Sequence, residues 1–259
     1  MLMATFNANS IRSRLELLLR WMERWSPDIV CVQETKTPDD RFPVAEISAA
    51  GWHALYRGEK SYNGVAILSR KAADRHGFGF RDGGPPDETR LAWAVFGDLT
   101  VVNTYVPQGR DITHPMYRYK IEWFARLRRW FDAAFRPNDL LLWGGDLNVA
   151  REPRDLYDPE GHQNHVCYHA DVRRAFESCL AWGFVDLFRR RHPEPGHYTF
   201  YDYRAPNAVE RGMGWRVDYL LASPALAALE EDCFIDLEPR RAPKSSDHTF
   251  LAARFRGLE

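Results

Sequence analysis

What the chain lacks narrows the problem before any motif is read. No stretch approaches the ~20 consecutive apolar residues that a bilayer-spanning helix needs. Met1 to Phe6 runs into Asn7 without a basic flank or cleavage site, so neither a membrane protein nor a secretory leader is expected. The four cysteines, Cys31, Cys167, Cys179 and Cys233, form no CxxC pair. That argues against a disulfide scaffold or structural zinc and for a reduced, cytoplasmic chain. Glycine-rich dinucleotide and P-loop fingerprints are absent, as are linkers, low-complexity segments and solenoid repeats. One domain over residues 1–259 is the simplest organisation.

Lysine is scarce as well, with five against thirty arginines at a net charge of −1. Overall charge therefore neither demands nor excludes a nucleic-acid partner. The arginine bias reads first as coding preference in a GC-rich genome. A second reading is that guanidinium forks bind phosphate through paired hydrogen bonds.

What is present is enough apolar sequence to bury a large α/β core: 45% of 259 residues are hydrophobic. The clearest single segment is Leu140-Leu141-Leu142-Trp143-Gly144-Gly145-Asp146-Leu147-Asn148, an apolar run that reads as a buried strand delivering polar groups to its end. Further strands are expected at Leu2–Phe6, Ile29–Val32, Val65–Leu68, Val217–Ala222 and Phe250–Phe255. A hairpin is expected from Leu91–Phe96 and Leu99–Val106. Helices are expected at Ser13–Trp25, Pro43–Ala50, Pro115 to before Pro137, and Asp171–Trp182, with a short one after Ser223-Pro224. In the longest helix Ile121, Phe124, Leu127, Phe131 and Phe135 form the apolar face, while Arg118, Lys120, Arg126 and Arg129 read as a solvated side. Loose alternation of strands and helices, mixed with hairpins, predicts a layered α/β sandwich with mixed sheets.

The strand ends carry Asn7, Glu34, Tyr105, Asp146, Asn148, Asp218, Asp247 and His248. Each alone is compatible with a turn or an exposed strand end. Together, at one sheet edge, they make a cleft of carboxylates, amides, a phenol and a histidine, with no serine or cysteine nucleophile. Carboxylate and amide oxygens suit a hard cation such as Mg²⁺, and a charged histidine suits a phosphate oxygen. The chemistry indicated is metal-assisted hydrolysis of a phosphate ester.

Several longer motifs carry the same residues: Gln33-Glu34-Thr35-Lys36, Tyr62-Asn63-Gly64-Val65-Ala66-Ile67, Tyr105-Val106-Pro107-Gln108-Gly109 and Gly145-Asp146-Leu147-Asn148. Two more follow, Gly214-Trp215-Arg216-Val217-Asp218-Tyr219-Leu220-Leu221-Ala222-Ser223 and Ser245-Ser246-Asp247-His248. Their order and spacing, from Met1 to Arg256, resemble the exonuclease III family of apurinic/apyrimidinic (AP) endonucleases. The resemblance implies a four-layer α/β sandwich like that of deoxyribonuclease I, with two mixed sheets packed face to face and helices outside. It implies Mg²⁺-dependent cleavage of DNA 5′ to abasic sites and removal of nucleotides or blocking groups from 3′ ends, with Mn²⁺ as the alternative ion.

By the same resemblance Glu34 is the main metal ligand, with Asn7, Asp146, Asn148, Asp247 and His248 around the ion. Asp146 handles the attacking water, Asn148 holds Asp146 and the phosphate, Tyr105 and His248 meet phosphoryl charge, and Asp218 orients His248. Phe200, Trp215 and Val217 correspond to the pocket for an extruded abasic sugar, expected to be apolar and too small for a base. Gln108, Arg110 and Arg216 are expected on the substrate, with Arg211 as a further phosphate contact.

The partner expected is double-stranded DNA, bound by a monomer in the cytoplasm or on the nucleoid. Tyr201 stands where many members have tryptophan, and Asn9 where some have an aspartate near the metal. A phosphoesterase acting on RNA, inositol phosphate or a lipid headgroup is the nearest rival reading. A non-catalytic DNA-binding adaptor is the second.

Overall fold

Runs that are apolar on both sides become central strands, and strands with one polar face become edges. The computed structural model describes residues 1–258. Its first sheet contains β1 (Leu2–Asn7), β2 (Ile29–Gln33), β3 (His53–Arg57), β4 (Val65–Ser69), β11 (Glu230–Asp236) and β12 (Phe250–Phe255), in the order β11-β12-β1-β2-β4-β3. The second contains β5 (Arg75–Phe78), β6 (Leu91–Phe96), β7 (Leu99–Tyr105), β8 (Leu140–Asp146), β9 (Val185–Asp186) and β10 (Asp218–Ala222), ordered β5-β6-β7-β8-β10-β9. In each sheet one central pair is parallel, β1–β2 and β7–β8, and every other pairing is antiparallel.

Side-chain alternation builds the layers. Met3, Ile29 and Ile67 of the first sheet pack with Val101, Leu142 and Leu220 of the second, forming the inner core. Their neighbours Leu2, Ala4 and Phe6 point outward under α1 (Ile11–Trp25), against Leu18, Trp21 and Met22. Leu141 and Trp143 point outward on the other side, against α3 (Pro115–Ala134) and α4 (Ala170–Leu180). Helix, sheet, sheet, helix is the four-layer sandwich expected from the sequence.

Shorter helices α2 (Val44–Ala49), α5 (Leu187–Arg191), α6 (Pro224–Ala227) and α7 (Glu238–Arg241) complete the set. No helix among the described residues is long and apolar enough to cross a membrane.

Helix α1 starts two residues earlier than its apolar periodicity indicated, because buried Ile11 opens it. Strands β3, β5, β9 and β11 were not legible: three lie at or beside a sheet edge with exposed or charged residues, and β9 is two residues long. The solvated side assigned to α3 needs correction. Arg118 and Arg129 are exposed, but Lys120 is fully buried, and Arg126 is buried against Asp82 and Asp87 at 2.7 Å each. A charge on a helix face can be drawn inward when loop carboxylates or carbonyls cover it, which helical spacing alone does not reveal.

Arg216 is the second correction. Its side chain is fully buried, paired with Asp155 and Asp186 at 2.8 Å each, so it cannot reach a DNA phosphate. Arg189 also bonds Asp155, through Nε at 2.8 Å, giving a buried cluster of two guanidinium and two carboxylate groups. Burial opposes ionisation of Asp155, but Arg216 and Arg189 outweigh it and hold its carboxyl below the usual range.

Because truncating one member leaves its partners charged and dry, Asp155→Ala is expected to lower unfolding free energy by about 3–5 kcal/mol. Urea denaturation checks this; a loss within the range of an exposed ion pair would show that the cluster is solvated in solution.

Candidate active site

The parallel strands β1, β2, β7 and β8 end at one edge of the sandwich, and the antiparallel strands β10 and β12 begin there. The β8–β10 register sets Asp146 directly opposite Asp218, and the β7–β8 register sets Tyr105 beside Asp146. Gly145 has φ +137°, and a Cβ there would lie 1.9 Å from the Thr104 carbonyl oxygen. Only glycine lets β7 and β8 approach closely enough to hold that register. Beyond the strands, Glu34 (φ 49°) and Asn148 (φ 51°) take left-handed backbone conformations that L-residues seldom adopt and that cluster at functional sites.

The carboxylates are fixed by one amide. Asn7 Nδ2 donates to Glu34 Oε1 at 2.7 Å and to Asp146 Oδ2 at 2.8 Å, while its Oδ1 accepts from the Asn9 backbone at 2.9 Å. Asp146 also accepts from the backbone N–H of Asn148 at 2.9 Å and from Asn148 Nδ2 at 3.3 Å. On the far side, His248 Nδ1 bonds Asp218 Oδ2 at 2.8 Å and its Nε2 lies 3.8 Å from Asp146 Oδ2. Lys36 Nζ pairs with Glu34 Oε2 at 2.7 Å.

Electrostatics separates these groups into acids and bases. Burial pushes Asp146 up to about 7, aided by the nearby Asp218 and Glu34 charges and opposed by His248. Burial alone would lower His248, but Asp218 and Asp146 outweigh it and hold the imidazolium near 10. Glu34 is shifted down, since Lys36 and Asn7 overcome its desolvation. Burial and the Glu34 and Asp146 charges push Tyr105 well above the ordinary phenol range, so it stays a neutral donor. Arg90 sits 5.0 Å over the Tyr105 ring.

Glu34, Asp146 and His248 offer ligand atoms within 4.8 Å of one another. Two crowded carboxylates sharing one donor fit a hard divalent cation. The other residues of the expected ligand set are engaged otherwise in this arrangement. Asn7 and Asn148 turn amide nitrogens toward the carboxylates and act as donors. His248 is held protonated with Nδ1 committed to Asp218, so it enters as a cation. Asp247 Oδ1 is engaged by Asn9 Nδ2 at 2.9 Å and Ser246 Oγ at 3.3 Å, beside the pair rather than on it. Glu34 and Asp146 remain as the ligands this arrangement offers.

Around them lies a cleft of about 420 Å³ lined by Tyr105, Gln108, Phe200, Trp215, Val217 and Asp247 among others. Its walls are less apolar than the sequence suggested. His165 and His162 pack on Trp215 with ring centroids 4.6 and 5.1 Å away, and Tyr157, Cys167, Asp202 and Arg204 also face the space. Burial pushes His165 down to about 4, so its ring is neutral. Arg110 and Arg211 are exposed but do not line the cleft.

Several contributors escaped the sequence reading. Lys120 donates to the carbonyls of Gln108, Asn148 and Val166 at 3.1, 2.6 and 2.9 Å, tying three loops of the cleft together. Thr199 Oγ1 accepts from the backbones of Val217 and Asp218 at 3.2 Å each, fixing the start of β10. Only Lys36, adjacent to Glu34 in its motif, carried a signal strong enough to be found.

A model of the Endonuclease/Exonuclease/phosphatase family matches residues 4–248. The chain is 29% identical over 266 residues to exodeoxyribonuclease III of Haemophilus influenzae, covering 97% of this chain and 98% of that protein. An AP endonuclease structure from Archaeoglobus fulgidus superposes with TM-score 0.97 and 46% identity over 99% of each chain. A Neisseria 3′ phosphatase bound to product DNA hairpin gives TM-score 0.93 and 36% identity, covering 98% of this chain and 99% of that one.

The Asp218–His248 bond yields a pH prediction. His248 is protonated below its raised pKa, so a rate that needs imidazolium falls only as pH climbs through that value. Asp218→Asn removes the largest raising influence and should move the alkaline limb down by about one pH unit or more. A pH–rate profile measures it, and superimposable limbs for variant and wild type would break the proposed link.

Proposed function

The chain belongs to the Endonuclease/Exonuclease/phosphatase family, and from that premise we propose how its cleft cuts DNA. It is a DNA repair nuclease of exonuclease III type, a hydrolytic phosphodiesterase. The finer reading is hydrolysis of the phosphodiester 5′ to abasic sites, together with removal of nucleotides or blocking groups from 3′ ends of double-stranded DNA. Residues 1–259 act as one domain and one monomer, in the cytoplasm or on the nucleoid.

A single observation carries the mechanism: a carboxylate of raised pKa, Asp146, faces an imidazolium, His248, across a gap of 3.8 Å. Asp146 orients the attacking water and takes its proton. Asn148 holds that carboxylate through its backbone and side-chain N–H groups. His248 and Tyr105 donate to the phosphoryl oxygens, where negative charge grows in the transition state, and Asp218 keeps the imidazole oriented and charged. Glu34, with Asp146, would hold Mg²⁺ (or Mn²⁺), which when bound neutralises charge on the phosphate and leaving oxygen. Phe200, Trp215 and Val217 receive the extruded sugar. An abasic nucleotide is cheaper to extrude because its stacking and pairing are already lost.

The imidazoles of His162 and His165 beside Trp215 give the sugar pocket a polar wall. A non-catalytic adaptor would have no need of a complete acid, base and carboxylate set. Arg12, Lys36, Arg41 and Lys60 line a second hollow of about 450 Å³ next to the cleft, basic ground that suits phosphates flanking the scissile one. Gln108 lines the cleft, and its Oε1 accepts from the backbone N–H of exposed Arg110 at 2.7 Å.

One assay tests the reading: a duplex carrying a central abasic analogue and a recessed 3′ end, with Mg²⁺ and with EDTA. Asp146→Asn should cost ~10²–10⁴-fold in rate while DNA affinity persists. Glu34→Gln should raise the metal concentration for half-maximal rate, with partial rescue at high metal. Near wild-type turnover in Asp146→Asn would remove that residue from the mechanism.

DNA affinity should fall steeply with salt despite the small net charge. If Arg12 and Lys60 each neutralise a phosphate, replacing either with alanine should flatten the slope of log K against log salt by about 0.9. A flat wild-type dependence would favour a small phosphate ester as substrate.

A further inference from the structure

We propose that His192, Glu194 and His197 form a second metal site, selective for a borderline transition ion such as Zn²⁺, on the loop leading from α5 into the cleft. The sequence His192-Pro193-Glu194-Pro195-Gly196-His197 places two imidazoles and a carboxylate within six residues. Two prolines stiffen the loop, and Gly196 at φ +91° turns it so that His197 comes back over His192, with ring centroids 5.5 Å apart. Glu194 Oε1 lies 2.9 Å from His197 Nε2 and 3.6 Å from His192 Nδ1, and all three ligand atoms fall within 4.8 Å of one another. Tetrahedral zinc with bonds of about 2.0–2.1 Å has ligand edges of about 3.3 Å, which the two measured separations bracket.

An independent observation fixes the chemistry of His192. Its Nε2 lies 2.8 Å from the Cys233 carbonyl oxygen, which can only accept, so Nε2 carries the proton. That leaves Nδ1, 3.6 Å from Glu194 Oε1, as the ring nitrogen placed to meet an ion. A backbone carbonyl accepting the distal N–H is also how metal-ligating histidines are held in orientation.

The loop is braced for this geometry before any ion arrives. Arg189 Nη1 donates to the carbonyls of His192 and Glu194 at 2.9 and 2.7 Å, and Phe188 stacks on the His192 ring at 4.5 Å. Two imidazole nitrogens and one carboxylate suit Zn²⁺ and disfavour Mg²⁺, which takes oxygen donors. The three side chains are between a third and about half exposed, so solvent can complete the coordination. Two residues beyond His197, Thr199 supports the start of β10, and Phe200 lies against His248 with centroids 4.9 Å apart. An ion here therefore ties down the segment that carries one wall of the cleft.

The test separates this site from the catalytic one by removing the latter's carboxylates. Zn²⁺ is titrated by calorimetry into the full-length E34Q/D146N protein, then into the same protein carrying H197A or Glu194→Gln. His197 is more than a third exposed, so its truncation leaves the fold intact, which circular dichroism verifies. One equivalent of Zn²⁺ should bind E34Q/D146N in the micromolar range or tighter, undisturbed by millimolar Mg²⁺. His197→Ala should weaken that binding at least tenfold, and Glu194→Gln should weaken it less. Absence of a zinc equivalent in E34Q/D146N, or an affinity indifferent to His197→Ala, overturns the proposal.

Discussion

Everything in the cleft hangs on one amide group. Asn7 Nδ2 donates to Glu34 of its own sheet and to Asp146 of the facing sheet, so a single side chain fastens two carboxylates across the sandwich. Just beneath it a second amide pair repeats the device. Gln33 Nε2 bonds Thr5 Oγ1 at 2.9 Å and Asn103 Oδ1 at 2.7 Å, while Asn103 Nδ2 returns to the carbonyls of Val32 and Ala66 at 3.0 and 2.8 Å. Buried polar links of this kind are stabilising only when nearly every group is satisfied. They fix the spacing of the sheets at the edge where chemistry needs it fixed.

That spacing creates the electrostatic tension the site uses. Carboxylates brought together in a dry interior raise one another's pKa, and the buried phenol of Tyr105 is pushed the same way. The Asp218–His248 pair and the Lys36–Glu34 pair supply positive charge from two sides, leaving Asp146 as the carboxylate least committed to a cation of the protein. The group best able to accept a proton near neutrality thus also lies 3.8 Å from the free Nε2 side of the imidazolium. General-base and charge-stabilising roles separate because their surroundings differ, as in other sites built from like residues.

How much of this could be read from the sequence depends on whether a residue's role is local. Asn7, Glu34, Tyr105, Asp146, Asp218 and His248 were legible because each terminates or precedes an apolar run, and strand ends at one edge must converge. The orientation of Asn7 and Asn148 was not, because whether an amide offers oxygen or nitrogen depends on partners 139 and 42 residues distant. Arg216 failed for the same reason. Its motif borders Asp218, but burial by Asp155 and Asp186 is a tertiary fact. Lys120 and Arg126 show the same limit on a helix, where spacing assigns a face and distant loops decide whether water reaches it. The imidazole wall at His162 and His165 lies in a stretch without periodicity, so nothing local marked it.

The sheet pairing explains why the carboxylates arrive from where they do. Read as β11-β12-β1-β2-β4-β3 and β5-β6-β7-β8-β10-β9, the two sheets have the same sequence of antiparallel and parallel pairings, position by position. In both, the parallel pair is joined by a long helix, α1 between β1 and β2 and α3 between β7 and β8. In both, the first strand of the pair ends on a neutral hydrogen-bonding group, Asn7 or Tyr105, and the second leads to a carboxylate, Glu34 or Asp146. Packing the sheets face to face sets these equivalent ends against each other. Two carboxylates and two neutral donors at one edge therefore follow from repeating one strand–helix–strand unit. The asymmetry that chemistry requires comes from outside that unit, from Lys36 on one carboxylate and from Asp218 and His248, on the flanking strands, beside the other.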